Sequence, residues 1–485
     1  MNRARSGISY AVVLTASLFL LAGLAGTASS LAAVPAGLDC VASDGKINGR
    51  GATVQNNAEA ALAKAYRDNF CGVTGVESTE KGEAGNTMIA YNYPIAEKSK
   101  ATGAGAGLSA ADCRTDAYAG SSTPYNKKQL EELNGSPGGG SLGGATCKIA
   151  FTPPFEPTPG PWPDTEAEKA DQAAKVMTFP IAGTAEALPI HLTAAECGGT
   201  SPGPISLTPK EVDRLLGGEA SKWNDAELVA TDAALAKCEV SIVRVVRVDN
   251  AGATNTTKQY LQKTQPNRTG ASCFLNNAKA ESETWAELNV SPNTNWPTEG
   301  TCTELRRSEL TNNASEVKKV VETPGAIGYA DLSDAIGEEA KTAGLILANV
   351  ENATGTSMQP PNIEKGANCD FKLLELPGTT SNEAVGLNVA EGWATNNPGG
   401  NKGDATDKGE KYPICGLTWD LVYTGLSKEE KSAITRLTAD QRRTLYSYFT
   451  FILSSPAQQL LNTIAYAELP TSWVGTLREG FQKNF

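Results

Sequence analysis

The segment that most constrains the fold is a β-branched run that ends in a turn of small residues. Ser241–Val248 (SIVRVVRV) has the composition of a buried strand, and Asp249–Thr254 (DNAGAT) follows it directly. A helical pattern then continues through Tyr260 and Leu261. This order leaves backbone N–H groups unblocked at the positive end of a helix dipole, where anions bind. The segment therefore predicts an α/β fold with an anion site at the turn.

Two earlier segments repeat the plan of a small-residue turn that opens onto a helix. Gly49–Thr53 (GRGAT) precedes Asn56–Phe70, whose apolar residues follow helical spacing. Gly103–Gly107 (GAGAG) precedes Ser109–Asp112 (SAAD), which resembles a capping box. One glycine-rich turn is weak evidence, because most such turns only reverse the chain. Three of them, with alternating strand and helix signals around them, favour an α/β sandwich that binds an anion.

The N-terminus has the pattern of an export signal. Arg3 and Arg5 form a basic region, Tyr10–Leu24 is apolar, and small residues follow over Ala25–Ala33. We therefore expect residues 1–33 to be a signal peptide. The alternative is a membrane anchor, but the apolar run is short of the roughly 20 residues that a spanning helix needs.

The rest of the chain predicts a soluble or loosely wall-held exported protein in two domains or lobes. Asp39 precedes Cys40 where a lipoprotein signal needs a small residue, and no later stretch is apolar enough to cross a membrane. After the signal, roughly 450 residues remain, which exceeds what one core usually serves. The net charge of −12 argues against nucleic acid and anionic membranes as partners, but not against a small anion.

The cysteines indicate disulfides, and the single histidine restricts the chemistry. All ten cysteines follow the signal, and no C-x-x-C occurs, so zinc ribbons and redox motifs are not expected. His191 stands alone, which excludes a Ser-His-Asp triad and a multi-histidine metal site. Spacing favours pairing of sequential neighbours, although spacing does not fix the connectivity. The favoured pairs are Cys40–Cys71, Cys113–Cys147, Cys197–Cys238, Cys273–Cys302 and Cys369–Cys415.

Several stretches predict loops or helix starts. Residues 134–146 and 152–164 are glycine-rich and proline-rich, and residues 355–366 and 396–409 have the character of surface insertions. Near the C-terminus, two helix starts are predicted. Thr438–Gln441 is a capping box, and Ser455–Pro456 has proline at the first helical position, where it is tolerated.

Eight segments, taken together and in order, resemble one known family. Each motif alone is commonplace, but the ordered set is specific to the phosphate-binding proteins of ABC importers, within the type II periplasmic-binding superfamily. The segments are Gly49–Thr53, Gly103–Leu108, Tyr118–Pro124 (YAGSSTP), Leu215–Asp225 (LLGGEASKWND), Arg247–Thr254, Thr323–Tyr329 (TPGAIGY), Tyr412–Thr418 (YPICGLT) and Ala465–Ser472 (AYAELPTS).

The resemblance implies two α/β lobes joined by two crossover strands, with the ligand held between the lobes. Mapped onto this chain, one lobe takes residues 40–175 and 325–485, and the other takes residues 176–324. It also implies a monomer that binds phosphate or a related oxyanion and delivers it to an ABC permease. No cofactor, metal or catalytic residue is implied. Hinge motion of the lobes around the ligand is expected.

The ligand residues that the resemblance implies depart from the family in four places. Ala104, Ala251 and Ala253 stand where the family has hydroxyl residues, and Ser122 stands where it has an aspartate. Each lost hydroxyl forgoes about 1–3 kcal/mol of charge-assisted hydrogen bonding. The full set of expected ligand residues is Thr53, Val54, Ala104, Gly105, Ser121, Ser122, Arg247, Asp249, Ala251, Gly252, Ala253 and Thr254.

Some alternatives remain open at the level of sequence. Arg247 and Asp249 could form a structural ion pair rather than a ligand contact, and Trp223 is expected in a core. The protein could also be a secreted or cell-wall binding module that kept the fold and lost phosphate. A secreted phosphatase is disfavoured, because the sequence offers no activated nucleophile and no metal-ligand cluster.

Overall fold

The computed structural model describes residues 47–67, 89–91, 116–122, 176–247, 249, 251–266, 285, 296, 304–306, 312–339, 342–361, 364–377, 384–385, 403–423 and 437–485. Met1–Gly37 and Leu38–Phe485 are separate compact units, and every described residue belongs to the second. The expected signal peptide therefore lies outside the described residues.

Fifteen strands are described, and fourteen of them, all but β14, build two large sheets and one small one. Their bounds are β1 Ile47–Gly51, β2 Ile89–Tyr91, β3 Tyr118–Ser121, β4 Val176–Ala187, β5 Pro189–His191, β6 Ser206–Leu207, β7 Val243–Val246, β8 Glu304–Arg306, β9 Ala326–Ile327, β10 Ala330–Asp331, β11 Leu345–Leu347, β12 Asn349–Glu351, β13 Met358–Gln359, β14 Glu364–Ala367 and β15 Cys415–Tyr423.

The larger sheet has the order β10-β4-β15-β3-β1-β2. Strands β2, β1 and β3 run parallel, whereas β15 is antiparallel to both β3 and β4. β15 is buried along nearly its whole length, which suits its β-branched and aromatic sequence at the centre of a covered sheet. Phe179 of the neighbouring strand β4 makes edge-to-face ring contacts with Phe449 and Phe481, which are tilted against each other.

The second sheet has the order β11-β5-β9-β7-β8. β7 is parallel to β8 and β9, and β5 is antiparallel to β9 and β11. Trp223 is fully buried beside this sheet and donates its indole N–H to the Gly325 carbonyl at 2.9 Å, which confirms its predicted core position. The small sheet has the order β13-β12-β6, and β13 lies in the predicted insertion at residues 355–366.

Two direct strand-to-strand crossings join the two large sheets among the described residues, and the chain also enters the second sheet at β11 on its way from β10 to β15. β4 ends at Ala187 and β5 begins at Pro189, so the first crossing is at Leu188. β9 ends at Ile327 and β10 begins at Ala330, so the second crossing is at residues 328–329. This is the expected two-lobed α/β fold, with two crossover strands. The lobe boundaries at residues 176 and 325 stay a prediction.

Nine α-helices are described, and none of them is long and apolar enough to cross a membrane. The predicted capping box at Thr438 is confirmed by its reciprocal bonds with Gln441, and the helix start at Ser455–Pro456 is also confirmed. The bounds are α1 Asn56–Ala65, α2 Pro209–Leu216, α3 Ala226–Thr231, α4 Gly252–Thr264, α5 Asn313–Val321, α6 Leu332–Glu339, α7 Ala439–Ile452, α8 Ser455–Leu461 and α9 Thr471–Asn484.

Two of the five predicted disulfides are confirmed. Cys197 bonds Cys238, and Cys369 bonds Cys415 at the start of β15. The loops that they close span 41 and 46 residues, for which chain entropy predicts about 4 kcal/mol of stabilisation each. The other six cysteines lie outside the described residues.

An aromatic stack adjoins the second crossing. Trp296 is stacked on Tyr329 with ring centroids 5.1 Å apart, and Trp285 packs against Trp296 at 5.6 Å. All three side chains are buried. Trp296 therefore covers one face of the Tyr329 ring, and the Tyr329 hydroxyl is part of the candidate site.

Candidate anion-binding site

The first predicted turn lies where β1 and β3 approach most closely. A Cβ on Gly51 would lie 1.8 Å from the Gly120 carbonyl oxygen, so only glycine fits there. The Ala52 N–H donates to the same carbonyl at 3.1 Å. A 3-10 turn over Thr53–Gln55 then leads into α1. The turn therefore lies beside the end of β3.

The end of β3 supplies the two serines of the predicted site. Ser121 is the last residue of β3 and is fully buried. Ser122 follows it, and its buried Oγ has no hydrogen-bond partner among the described residues. An unpaired buried hydroxyl costs free energy, so this position needs an explanation.

The third predicted turn connects β7 to α4, as the sequence pattern indicates. Ala251 is the N-cap residue in an extended conformation, and its own side chain makes no capping hydrogen bond. The first N–H groups of an α-helix have no acceptor within the helix. Gly252 and Ala253 present no side chain beyond a methyl group, so these backbone donors are not covered from their own residues.

The turns at Ala251 and Thr53 meet around Ser122. A Cβ on Gly252 would lie 1.9 Å from the Ser122 Oγ, so the backbone of α4 packs directly onto that serine. α4 also contacts the Thr53–Gln55 turn. Ala104 and Gly105, from the second turn, lie outside the described residues. The predicted residues that the structure brings together are Thr53, Val54, Ser121, Ser122, Ala251, Gly252, Ala253 and Thr254.

Arg247 lies behind this turn in an ion pair. Its Nε and Nη2 donate to the two carboxylate oxygens of Asp249 at 2.7 and 2.6 Å, and its Nη1 donates to Asn313 Oδ1 at 2.8 Å. Burial lowers the pKa of Arg247, but the hydrogen bonds and the charge of Asp249 outweigh burial, so the pKa is raised. Arg247 and Asp249 therefore form an ion pair, and a contact of Arg247 with a ligand stays a prediction.

Sequence reasoning missed Tyr329 as a site residue. Its hydroxyl lies 2.8 Å from Thr254 Oγ1 and accepts the Arg247 N–H at 3.2 Å. Burial raises the pKa of this phenol, which therefore stays neutral. Tyr329 lies in the second crossing, so the third turn is hydrogen-bonded to the connection between the sheets. The TPGAIGY motif includes Tyr329 but does not indicate this contact.

Tyr466 was also missed, and it contacts the first turn. Its hydroxyl donates to the Val54 carbonyl at 2.6 Å and lies 3.0 Å from Asp331 Oδ2. Tyr466 is fully buried between α8 and α9, within the AYAELPTS motif. Tyr329 and Tyr466 are thus each hydrogen-bonded to one of the predicted anion turns.

Buried carboxyl groups surround the crossings, and no sequence motif indicates them. Glu186, Asp331 and Glu316 are almost completely inaccessible to solvent. Burial is the largest cause that raises the pKa of each of these carboxyls. The one available hint is an acidic residue inside an otherwise apolar strand, as Glu186 is in β4.

The described residues offer no place for a metal ion. No group of three or more histidine, cysteine, aspartate or glutamate side chains among them has an arrangement that could hold one. His191 is half-buried in β5, and its Nδ1 has no hydrogen-bond partner within the described part of the chain. What the site offers chemically is backbone and hydroxyl donors for an anion.

Comparison with known proteins identifies the fold. A family model described as "PBP superfamily domain" matches residues 163–374. No match to the chain is found among curated proteins.

Several solved structures share the fold at low sequence identity. Two are phosphate-binding proteins from Stenotrophomonas maltophilia, both 13% identical: one has a TM-score of 0.50 over 90% of this chain and 93% of that chain, and the other has 0.51 over 90% and 94%. A third is an ancestral soluble variant of the human phosphate-binding protein, 15% identical, with a TM-score of 0.50 over 90% and 93%. Residues 163–374 therefore resemble a PBP superfamily domain, and the chain has the two-lobed fold of these phosphate-binding proteins.

Proposed function

We propose that this protein is an exported solute-binding protein that holds a small tetrahedral oxyanion, phosphate or a relative, between its lobes. The observation that carries the proposal is the uncapped start of α4, which packs against Ser122 and the Thr53–Gln55 turn. Unblocked N–H groups at a helix N-terminus bind anions. The similar structures are named as phosphate-binding proteins, which supports the choice of ligand class.

The donors in this site are uncharged, which bears on selectivity. Ser122 can accept a hydrogen bond from a protonated anion or donate one to an ionised anion. It therefore does not repel sulfate as an aspartate would, and we propose a site that accepts both phosphate and sulfate. Delivery of the anion to an ABC permease is part of the proposal, as is a role in binding rather than catalysis.

A second function is favoured by one contact. Gly252 packs so closely on Ser122 that a methyl group would not fit between them. In this arrangement the two turns touch each other directly. A secreted binding module that uses the fold without an anion would keep this contact permanently, whereas a solute-binding protein would separate the turns when it takes up a ligand.

Calorimetric titration of the mature protein with phosphate, sulfate and arsenate tests the two functions. We expect saturable binding, and Thr53→Val should weaken it about tenfold, because one charge-assisted hydrogen bond is lost. Thr200→Val is the matched control, since Thr200 is exposed far along the chain from the turns. Absence of heat with all three anions would refute the solute-binding function and favour the second one.

A further inference from the structure

Two carboxyl groups face each other where the chain crosses between the sheets. Glu186 in β4 is the register partner of Asp331 in β10. The Glu186 N–H donates to Ile414 and its carbonyl accepts from the Tyr412 hydroxyl, so neither backbone group points toward β10. Glu186 and Asp331 are thus a non-hydrogen-bonded pair, the type in which opposed side chains approach most closely.

The surroundings of the pair favour one retained proton. Asp331 accepts hydrogen bonds from the hydroxyls of Thr184 and Ser333, whereas Glu186 Oε2 is buried without a partner among the described residues. Two ionised carboxylates at such a separation repel each other, and a proton between them removes the repulsion. Burial, followed by the charge of Asp331, raises the pKa of Glu186.

Charged groups from the neighbouring elements act on the pair in both directions. Glu316 of α5 and Asp334 of α6 raise the pKa of Glu186, and Arg247, which follows β7, lowers it. Asp334 also raises the pKa of Asp331, after burial as the largest cause. The Arg247 guanidinium is already paired with Asp249, so it does not supply a full counter-charge to the carboxyl pair.

We propose that Glu186 and Asp331 share a proton at the crossing and that Tyr466 transmits the loss of this proton to the first anion turn. The Tyr466 hydroxyl lies within hydrogen-bond distance of both Val54 O and Asp331 Oδ2, at 2.6 and 3.0 Å. A phenol has one proton to donate. While the pair keeps its proton, Tyr466 donates to the Val54 carbonyl.

Ionisation of the Glu186–Asp331 pair changes the acceptor of the Tyr466 hydroxyl. A carboxylate forms a stronger hydrogen bond than a neutral carbonyl, so Tyr466 then donates to Asp331 and releases the Val54 carbonyl. The turn that contains Thr53 then loses its hydrogen bond to Tyr466. Anion binding should therefore weaken as pH rises and the shared proton leaves. The predicted effect on anion binding rests on the proposed oxyanion-binding function, whereas the shared proton does not.

The ligand arm of the test is calorimetric titration with sulfate, whose charge is constant over the range, from about pH 5.5 to about pH 8.5. Wild-type affinity should fall by up to about tenfold per pH unit above neutrality, as expected for one linked proton. Asp331→Asn and Tyr466→Phe should bind sulfate with no such slope. Glu59→Gln, which changes a buried carboxyl away from the crossing, should keep the wild-type slope. An unchanged slope in Tyr466→Phe would overturn the relay.

A ligand-free arm separates failure of this inference from failure of the proposed function. The infrared band of a protonated carboxyl, followed as a wild-type minus Asp331→Asn difference, should persist to near-neutral pH. Glu186→Gln should remove the same signal if Asp331→Asn is poorly folded. Absence of the difference band in both variants would overturn the shared proton. A band without binding of sulfate, phosphate or arsenate would support the shared proton and refute the proposed function.

Discussion

Two buried carboxyl pairs among the described residues differ in the groups that surround them. In the first pair, Glu59 Oε2 accepts the hydroxyls of Tyr118 and Tyr448 at 2.9 and 2.8 Å, and Asp420 lies beside it on β15. In the second pair, Glu186 faces Asp331 across the crossing strands. Burial is the main cause that raises the pKa of all four carboxyls.

Both pairs also reach the first anion turn, through different side chains. Gln55 donates its amide N–H to Asp420 Oδ1 at 3.2 Å, and Tyr466 lies between Val54 and Asp331. An amide N–H only donates, so ionisation of Asp420 leaves the direction of that bond unchanged. A hydroxyl donates or accepts, so its bonds depend on where the proton is. Whether loss of a proton can change the turn therefore depends on the side chain that links the acid to the turn, Gln55 or Tyr466, and not on the burial of the acid.

The largest expected effect is on folding stability in the first pair. Glu59→Ala leaves two tyrosine hydroxyls buried without an acceptor and opens a cavity, so the free energy of unfolding should fall by about 4 kcal/mol. Glu59→Gln is the matched control, because its amide oxygen still accepts a hydrogen bond. Urea unfolding measures both variants. A loss below about 1 kcal/mol in Glu59→Ala would show that the tyrosine contacts do not stabilise the fold.

The second expected effect is a fall in stability with rising pH. Burial raises the pKa of Glu59 from 4.5 to about 7, so its favourable contribution is complete below pH 4.5 and is lost as pH rises through 7. Asp331, raised from 3.8 to about 7, acts in the same direction. Unfolding free energy should decrease by about 3 kcal/mol for Glu59 alone between about pH 4.5 and pH 8. Urea unfolding of Glu59→Gln over this range should show a shallower decrease, and an equal slope would contradict the assignment.

The smallest expected effect distinguishes the two connectors directly. Gln55→Met removes the bonds to the Trp419 carbonyl and to Asp420, and it removes the acceptor of the Tyr91 hydroxyl, which keeps its bond to the Ala52 carbonyl. We expect a loss of about 1–2 kcal/mol in stability, and a weaker sulfate affinity by the same factor at every pH. Thermal unfolding and calorimetry measure the two quantities. A pH-dependent loss of affinity would place a proton switch at Gln55 as well.

Local sequence patterns predicted the parts of this fold that depend on neighbours along the chain. The turn that opens onto α4, the capping box at Thr438 and the start of α8 all involve residues within four positions of each other. The Cys197–Cys238 and Cys369–Cys415 bonds followed from spacing and an exported context. The resemblance to a known family predicted the two-lobed architecture.

The rest of the site could not be predicted, because its contacts join distant segments. Tyr466 and Val54 are 412 residues apart, and Tyr448 and Glu59 are 389 apart. No periodic pattern of apolar residues indicates which acid meets which hydroxyl. The close packing of Gly252 on Ser122 was equally invisible, because a turn of small residues does not specify what lies opposite it.

The stacking of Trp296 on Tyr329 gives the second crossing an optical signal of its own. The rings are 5.1 Å apart, close enough for the tyrosine and its hydrogen-bonded neighbours to influence indole emission. A shift of the crossing strand would change the environment of this one indole among the seven in the chain. The difference between the emission spectra of the wild type and Trp296→Phe therefore isolates the crossing, and lobe motion becomes visible by fluorescence without any attached dye.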